Sequence, residues 1–231
     1  MKKLALSLSF LFLHSVSAAT ISWIAHGTVT DNNDISLAGT LVHATTYGSG
    51  GATVNVTVGS EVIPFEGETA FAGGIVTTPN STVTVAGRTA QTGFFNSAGT
   101  TVSANFETVL DSFAFDGPNP KVLTLNNLTV GQEYQIQLFV SDDRGCCSAR
   151  TQLWSDNAVV STGNETVTFT HVTSPYDIGT FVAGATSETI YGHGVGQNQN
   201  ILNGYVLRAI PEPSSIALTA LAGLALLRRR R

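Results

Sequence analysis

Asp142, Asp143, Arg144 and Arg150 crowd into one short stretch, with the chain's two cysteines, Cys146 and Cys147, between the arginines. Carboxylates and guanidinium groups beside a turn can hydrogen-bond sugar hydroxyls, and Trp154, just downstream, offers an aromatic face for the apolar side of a pyranose ring. These five residues (Asp142, Asp143, Arg144, Arg150 and Trp154) form the candidate ligand-binding set, with Tyr176 and Tyr191 as further aromatic candidates. The competing reading packs Trp154 inside the fold and pairs the arginines with the acids across the turn. Ordinary disulfides join Cα atoms about 4.4–6.8 Å apart, whereas neighbouring residues are held at about 3.8 Å. A vicinal Cys146–Cys147 bond therefore needs a turn, and Asp142-Asp143-Arg144-Gly145 supplies turn-forming residues. Such a bond would act as a turn lock or as a flat apolar disc on a binding loop. Redox catalysis is not indicated, because the cysteines lack Cys-x-x-Cys spacing.

Other groups suggest weaker chemistry. Asp31-Asn32-Asn33-Asp34 is a cluster of hard oxygens, the ligand type calcium prefers, which makes Asp31 and Asp34 candidate calcium ligands although the glycine pivot of an EF-hand is missing. No other cofactor is expected. Glu66, Glu68, Glu107 and Asp111 include enough carboxylates for glycoside hydrolysis, which needs two of them roughly 5–9.5 Å apart. The sequence alone does not set such a separation. Gly-x-Ser-x-Gly, His-Glu-x-x-His and phosphate-loop motifs are absent, and His26, His43, His171 and His193 stand far apart. A non-catalytic role leads, with an enzyme acting on extracellular polysaccharide as the alternative.

The elements that must position these groups read as strands. Apolar and polar residues alternate in Thr53–Val58, Thr82–Val85, Glu165–Thr170 and, most clearly, Tyr134–Val140, where Tyr134, Ile136, Leu138 and Val140 share one face. Turn signals at 48–51, 73–74 and 116–118 separate the runs, and 192–196 reads as a glycine-rich connecting loop. Only 104–115 has helical spacing, with Phe106, Val109, Leu110 and Phe113 on one side. The expected fold is all-β, an antiparallel β-sandwich of jelly-roll type with one short helix, spanning residues 20–209. Threonine alternation also raises ice binding, but the short sets show no common period.

Both ends read as addresses. Lys2, Lys3, an apolar stretch over 4–13 and Ser17-Ala18-Ala19 describe a signal peptide over 1–19, cut after Ala18 or Ala19. Residues 214–227 would form a transmembrane helix only about 21 Å long at 1.5 Å per residue, against a hydrocarbon core of about 30 Å. Arg228, Arg229, Arg230 and Arg231 would then act as the membrane stop, held on the cytoplasmic side. Between these ends lie fifteen acids and only five bases, Arg88, Lys121, Arg144, Arg150 and Arg208. A body carrying that acidic excess repels phosphate backbones, which argues against nucleic acid as a partner.

Pro211-Glu212-Pro213, the apolar run and the terminal arginines together resemble the PEP-CTERM sorting signal of exported bacterial proteins, over residues 210–231. The same tail is also catalogued as the C-terminal domain of ice-binding proteins. The resemblance implies an exosortase-like membrane enzyme as a partner, a membrane-anchored precursor, and delivery to the cell surface or extracellular matrix. "GTLVHATTYG", "DDRGCCSART" and "NILNGYVLRA" are similar to segments of exported proteins whose body resembles galactose-binding-like jelly rolls. That likeness implies polysaccharide as a ligand.

Overall fold

The computed structural model describes residues 19–147, 149–160, 164–196 and 199–211. The leader before Ala19, Glu212, Pro213, the apolar segment 214–227 and Arg228–Arg231 lie outside them. Among the described residues no helix is long and apolar enough to cross a membrane.

Two seven-stranded sheets form a β-sandwich. The first runs, in spatial order, through Ser22–Thr28, Pro175–Val182, Glu133–Phe139, Gly204–Ala209, Thr40–Thr46, Glu61–Glu66 and Val54–Val58. The second runs through Phe169–Thr170, Thr151–Ser155, Glu188–Val195, Lys121–Leu125, Ser81–Thr84, Ile75–Thr77 and Ala70–Ala72. Pairing is antiparallel except between Thr40–Thr46 and Glu61–Glu66. A third small sheet joins Ile201–Leu202, Ser112–Phe115 and Gly87–Ala90. The one α-helix is Ala104–Leu110, started by Ser103, whose hydroxyl accepts from the Phe106 amide.

Period-two alternation decides which side chains meet. Tyr134, Ile136, Leu138 and Val140 enter the core between the sheets, facing Val83, Leu123, Leu125, Trp154 and Ile190 of the opposite layer. The other face of the first sheet is also covered. Phe139, Val206, Val56, Ile63 and Phe65 form a second apolar cluster with Phe106, Val109 and Leu110 of the helix. Gln135 and Gln137, polar residues on that outer face, are buried under the loop after Asp31. Gln137 accepts from the Ser36 amide at 2.8 Å and donates to the Asp34 carbonyl at 2.6 Å, so its amide is satisfied rather than stranded.

Three local expectations are corrected. The helix stops at Leu110, and Phe113 lies on the strand Ser112–Phe115, where it joins the central core instead of the helical face. Asp111 diverts the chain there, its Oδ1 accepting from the amides of Phe94 and Phe95. In 165–170 only Phe169–Thr170 is a strand, and the sense is inverted: Thr166 is buried while Val167 is 58% exposed. Thr166 Oγ1 accepts from the Trp154 amide, so a hydrogen bond overrides hydrophobic alternation. Residues 192–195 are not a loop but the end of the strand Glu188–Val195. Gly192 is required because a Cβ there would lie 2.6 Å from the Trp154 ring.

Burial leaves two histidines neutral in the fold. Desolvation lowers both His43 and His171 from 6.5 to about 4. Between those values the unfolded chain takes up protons that the folded chain refuses, so stability falls as pH drops from about 6.5 toward 4. Asp177 works the other way. Burial raises its carboxyl from 3.8 to about 6 despite His26, so its contribution is full below 3.8 and is lost as pH rises through 6. Asp111, also raised by burial, acts in the same sense as Asp177, so the two histidines are what make acidification costly. Replacing His43 with Leu should shrink the drop in melting temperature between pH 7 and pH 4.5, and an unchanged drop would show that His43 is not held neutral.

Candidate functional site

A concave site of about 440 Å³ opens where the small third sheet meets the loop 141–150. Its size falls within the range of small-molecule sites, roughly 300–1,000 Å³. Arg88 and Thr89 come from Gly87–Ala90, Phe113 and Phe115 from Ser112–Phe115, and Arg144, Cys147 and Arg150 from the loop. Gln91, Phe94 and Asp116 complete the lining. Three of the body's five bases therefore converge on one concavity in an acidic chain.

The aromatic side is built tightly. Phe94 and Phe113 meet edge-on with centroids 4.3 Å apart, and Phe115 stands 5.7 Å from Phe113 in the same manner. Phe94 is tethered on both flanks of its backbone. Its amide donates to Asp111 Oδ1, and its carbonyl accepts from the Asp143 amide and the Ser141 hydroxyl. Burial pushes the Asp111 carboxyl up, against the amides of Phe95 and Phe94 that pull it down.

The charged side is graded in how firmly each arginine is held. Asp142 is fully buried, and Arg144 meets it with a two-point grip, Nε to Oδ1 at 2.7 Å and Nη2 to Oδ2 at 2.8 Å. That hydrogen bonding holds the Arg144 guanidinium above its usual range. The guanidinium also lies 4.5 Å over the Phe94 ring and 5.4 Å over Phe113. Arg88 pairs with buried Glu68, which also accepts from the Gly48 and Gly50 amides. Arg150 is loosest, with Nη1 4.0 Å from Asp116 Oδ1, beyond hydrogen-bond range. Beneath Asp116, the fully buried Lys121 donates to the Asp116 carbonyl at 2.8 Å, and burial brings its ammonium down to about 7.

Cys146 and Cys147 are disulfide-bonded to each other, within two linked turns closed by Cys147 N to Arg144 O and Arg150 N to Cys147 O. Cys147 is buried at the pocket wall and Cys146 is exposed.

The structure separates the five residues read from the sequence. Arg144 and Arg150 line the pocket, and Asp142 supports it from behind. Asp143 contributes its backbone amide and is not in the lining. Trp154 is 0% exposed in the central core, so it cannot serve as a platform, and the phenylalanines supply the aromatic surface instead. Arg88, Phe94, Phe113, Phe115 and Asp116 were not expected in the site, and nothing in their sequence spacing marks them.

Asp31 and Asp34 are committed elsewhere. Asp31 accepts from the Asn33 amide, while a single oxygen of Asp34 takes the amides of Thr30 and Asp31 and the Thr30 hydroxyl. Together they form a capping box on the short turn Asn32–Asp34. That backbone role accounts for the oxygen cluster, and no group of three or more His, Cys, Asp or Glu side chains suited to a metal occurs among the described residues. Glu68 and Asp111 are likewise engaged with amides rather than facing each other across a cleft.

No protein-family model matches the chain, and no curated protein does. Among solved structures it is similar to beta-glucuronidase 2 of Bacteroides uniformis in a calcium-binding mutant, with a TM-score of 0.46 and 15% identity over 73% of this chain and 18% of that one. The same enzyme covalently bound to cyclophellitol-6-carboxylate aziridine gives 0.45 and 16% over the same shares. The likeness is a distant one, to a β-sandwich region. The fold and site define an all-β sandwich module with an arginine–phenylalanine pocket at its rim.

The unequal grip on the arginines is testable. Arg144→Lys loses the two-point bond to buried Asp142 and the stacking on Phe94, and should destabilise the protein by about 1–3 kcal/mol. Arg150→Gln should leave the melting temperature within about 4 °C of the parent, since weak ion pairs contribute about 0–1 kcal/mol. Thermal melts followed by circular dichroism compare the two directly.

Proposed function

We propose that this chain is an exported, non-catalytic surface or matrix protein that binds polysaccharide in the arginine–phenylalanine pocket. In this reading Pro211-Glu212-Pro213, the apolar segment and the terminal arginines form a sorting signal handled by an exosortase-like membrane enzyme. The observation that carries the binding half is the pocket itself, in which planar donors stand against aromatic rings on a braced loop. Sugar recognition uses that pairing, hydrogen-bonding the ring's edge and packing its apolar face.

The export half draws support from one contact at the start of the described chain. The Ala19 amide donates to Glu188 Oε2 at 3.0 Å, while Oε1 accepts from Gly184 and Ala185. Glu188 is buried, and no salt bridge to it occurs among the described residues. A cut after Ala18 would turn that amide into an α-ammonium and give the carboxylate its counter-ion. The exported protein should therefore begin at Ala19, as read by N-terminal sequencing and intact mass, and should be retained on at least one polysaccharide of a broad glycan panel. A first residue other than Ala19 would discard the Glu188 role, an uncut cytoplasmic protein the export reading, and uniform non-binding the ligand reading.

A second groove favours the enzymatic alternative. Trp23, His26, Glu165 and Asp177 line a space of about 240 Å³, so two acids share one opening. His26 Nδ1 lies 2.8 Å from Asp177 Oδ1, and the other Asp177 oxygen is buried without a partner among the described residues. Such a site would release reducing ends from extracellular polysaccharide, with loss of activity in Asp177→Asn. Absence of release across the panel at pH 5–7 would dispose of this alternative.

A further inference from the structure

The pocket's unpaired hydrogen-bonding groups identify the ligand class more narrowly than its shape does. Among the described residues the Arg150 guanidinium makes no hydrogen bond, its ion-pair contact being the 4.0 Å approach to Asp116. Among the same residues Arg88 Nε is buried with no acceptor, and Asp116 Oδ1 is buried with no donor. Buried groups of this kind find partners in nearly all folded proteins. Arg150 and Asp116 come no closer than an ion-pair distance, so the groups do not satisfy each other. A ligand that completes the set must bring an acceptor with two oxygens for the guanidinium groups and a hydroxyl hydrogen for Asp116. It must also present an apolar face to Phe113 and Phe115.

We infer that the pocket binds an acidic sugar residue, a uronate, with its carboxylate against Arg150 and Arg88, a ring hydroxyl donating to Asp116, and its C–H face toward the phenylalanines. A neutral hexose supplies the hydroxyl and the face but no carboxylate. A simple carboxylate ion supplies neither of the other two. Glu68 and Asp142 neutralise Arg88 and Arg144 by direct pairing, so the uncompensated guanidinium at the opening is that of Arg150, held only at 4.0 Å from Asp116. The acidic body works against long polyanions, but its field is screened beyond about 8 Å at physiological salt, while contacts inside the pocket are not. Selectivity thus arises at short range, from Arg150 and Arg88 together, with Lys121 adding charge under Asp116 as its ammonium fills below about pH 7.

This inference rests on the polysaccharide-binding reading, and the experiment separates the two. Calorimetric titration of the exported protein at 0.15 M salt uses three probes: trigalacturonate, its methyl ester, and neutral galactotriose. The acidic trimer is expected to bind at least about tenfold more tightly than the others, a difference of about 1.4 kcal/mol. Arg150→Gln should erase that preference while leaving the melting temperature in place, and Arg150→Lys should restore part of it. Equal binding of all three probes overturns the acidic specificity and leaves polysaccharide binding standing. An acidic preference that survives Arg150→Gln overturns the assignment to this pocket. Failure of all three probes together with an empty glycan panel overturns both readings.

Discussion

The rim of this sandwich depends on a buried carboxylate that must keep its arginine. Asp142 has no exposed surface, and an unpaired charge there would cost several kcal/mol. Arg144 answers it with two parallel hydrogen bonds and then lies flat over Phe94, so one guanidinium links the turn to the aromatic wall. Phe94 is itself fixed by Asp111, which ends the helix region and turns the chain into Ser112–Phe115. Loop, wall and third sheet are thereby one mechanical unit. The vicinal disulfide occupies the remaining turn of that loop and presents Cys147 to the same concavity.

Function follows from where this unit leaves chemistry unfinished. Arg144 is occupied by buried Asp142 and shapes the site, while Arg88 pairs with Glu68 through Nη1 and keeps its Nε without a partner among the described residues. Arg150 and Asp116 share a wall without bonding to each other, and Arg150 is the pocket arginine whose guanidinium makes no hydrogen bond among the described residues. This division also explains an apparent contradiction, an acidic chain with a basic pocket. The bases are few, but tertiary structure spends three of them in one place.

The scaffold behind the pocket is specified by packing on both faces of the first sheet. Trp154 and Gly192 form a matched pair in the central core, ring against missing side chain. The helix and the loop after Asp31 cover the opposite face, which lets Gln137 sit buried with one bond donated and one accepted by its amide. His43 and His171 are retained in the interior as neutral rings, the feature that ties stability to pH.

Local pattern by itself determined the all-β class and the central strand through Tyr134, Ile136, Leu138 and Val140, and it permitted a Cys146–Cys147 bond by setting the two residues in a turn. Alternation and turn chemistry act over a few residues, so they are legible in a linear text. It also pointed to Arg144 and Arg150, because they flank a turn. Tertiary structure decided the rest. Arg88 lies far from them in sequence and reaches the site only because Gly87–Ala90 pairs with Ser112–Phe115. Trp154 is interior because Gly192 makes room for it, and Val167 faces outward because Thr166 bonds the Trp154 amide. These outcomes depend on which distant backbone arrives alongside, and no periodicity within a segment encodes that.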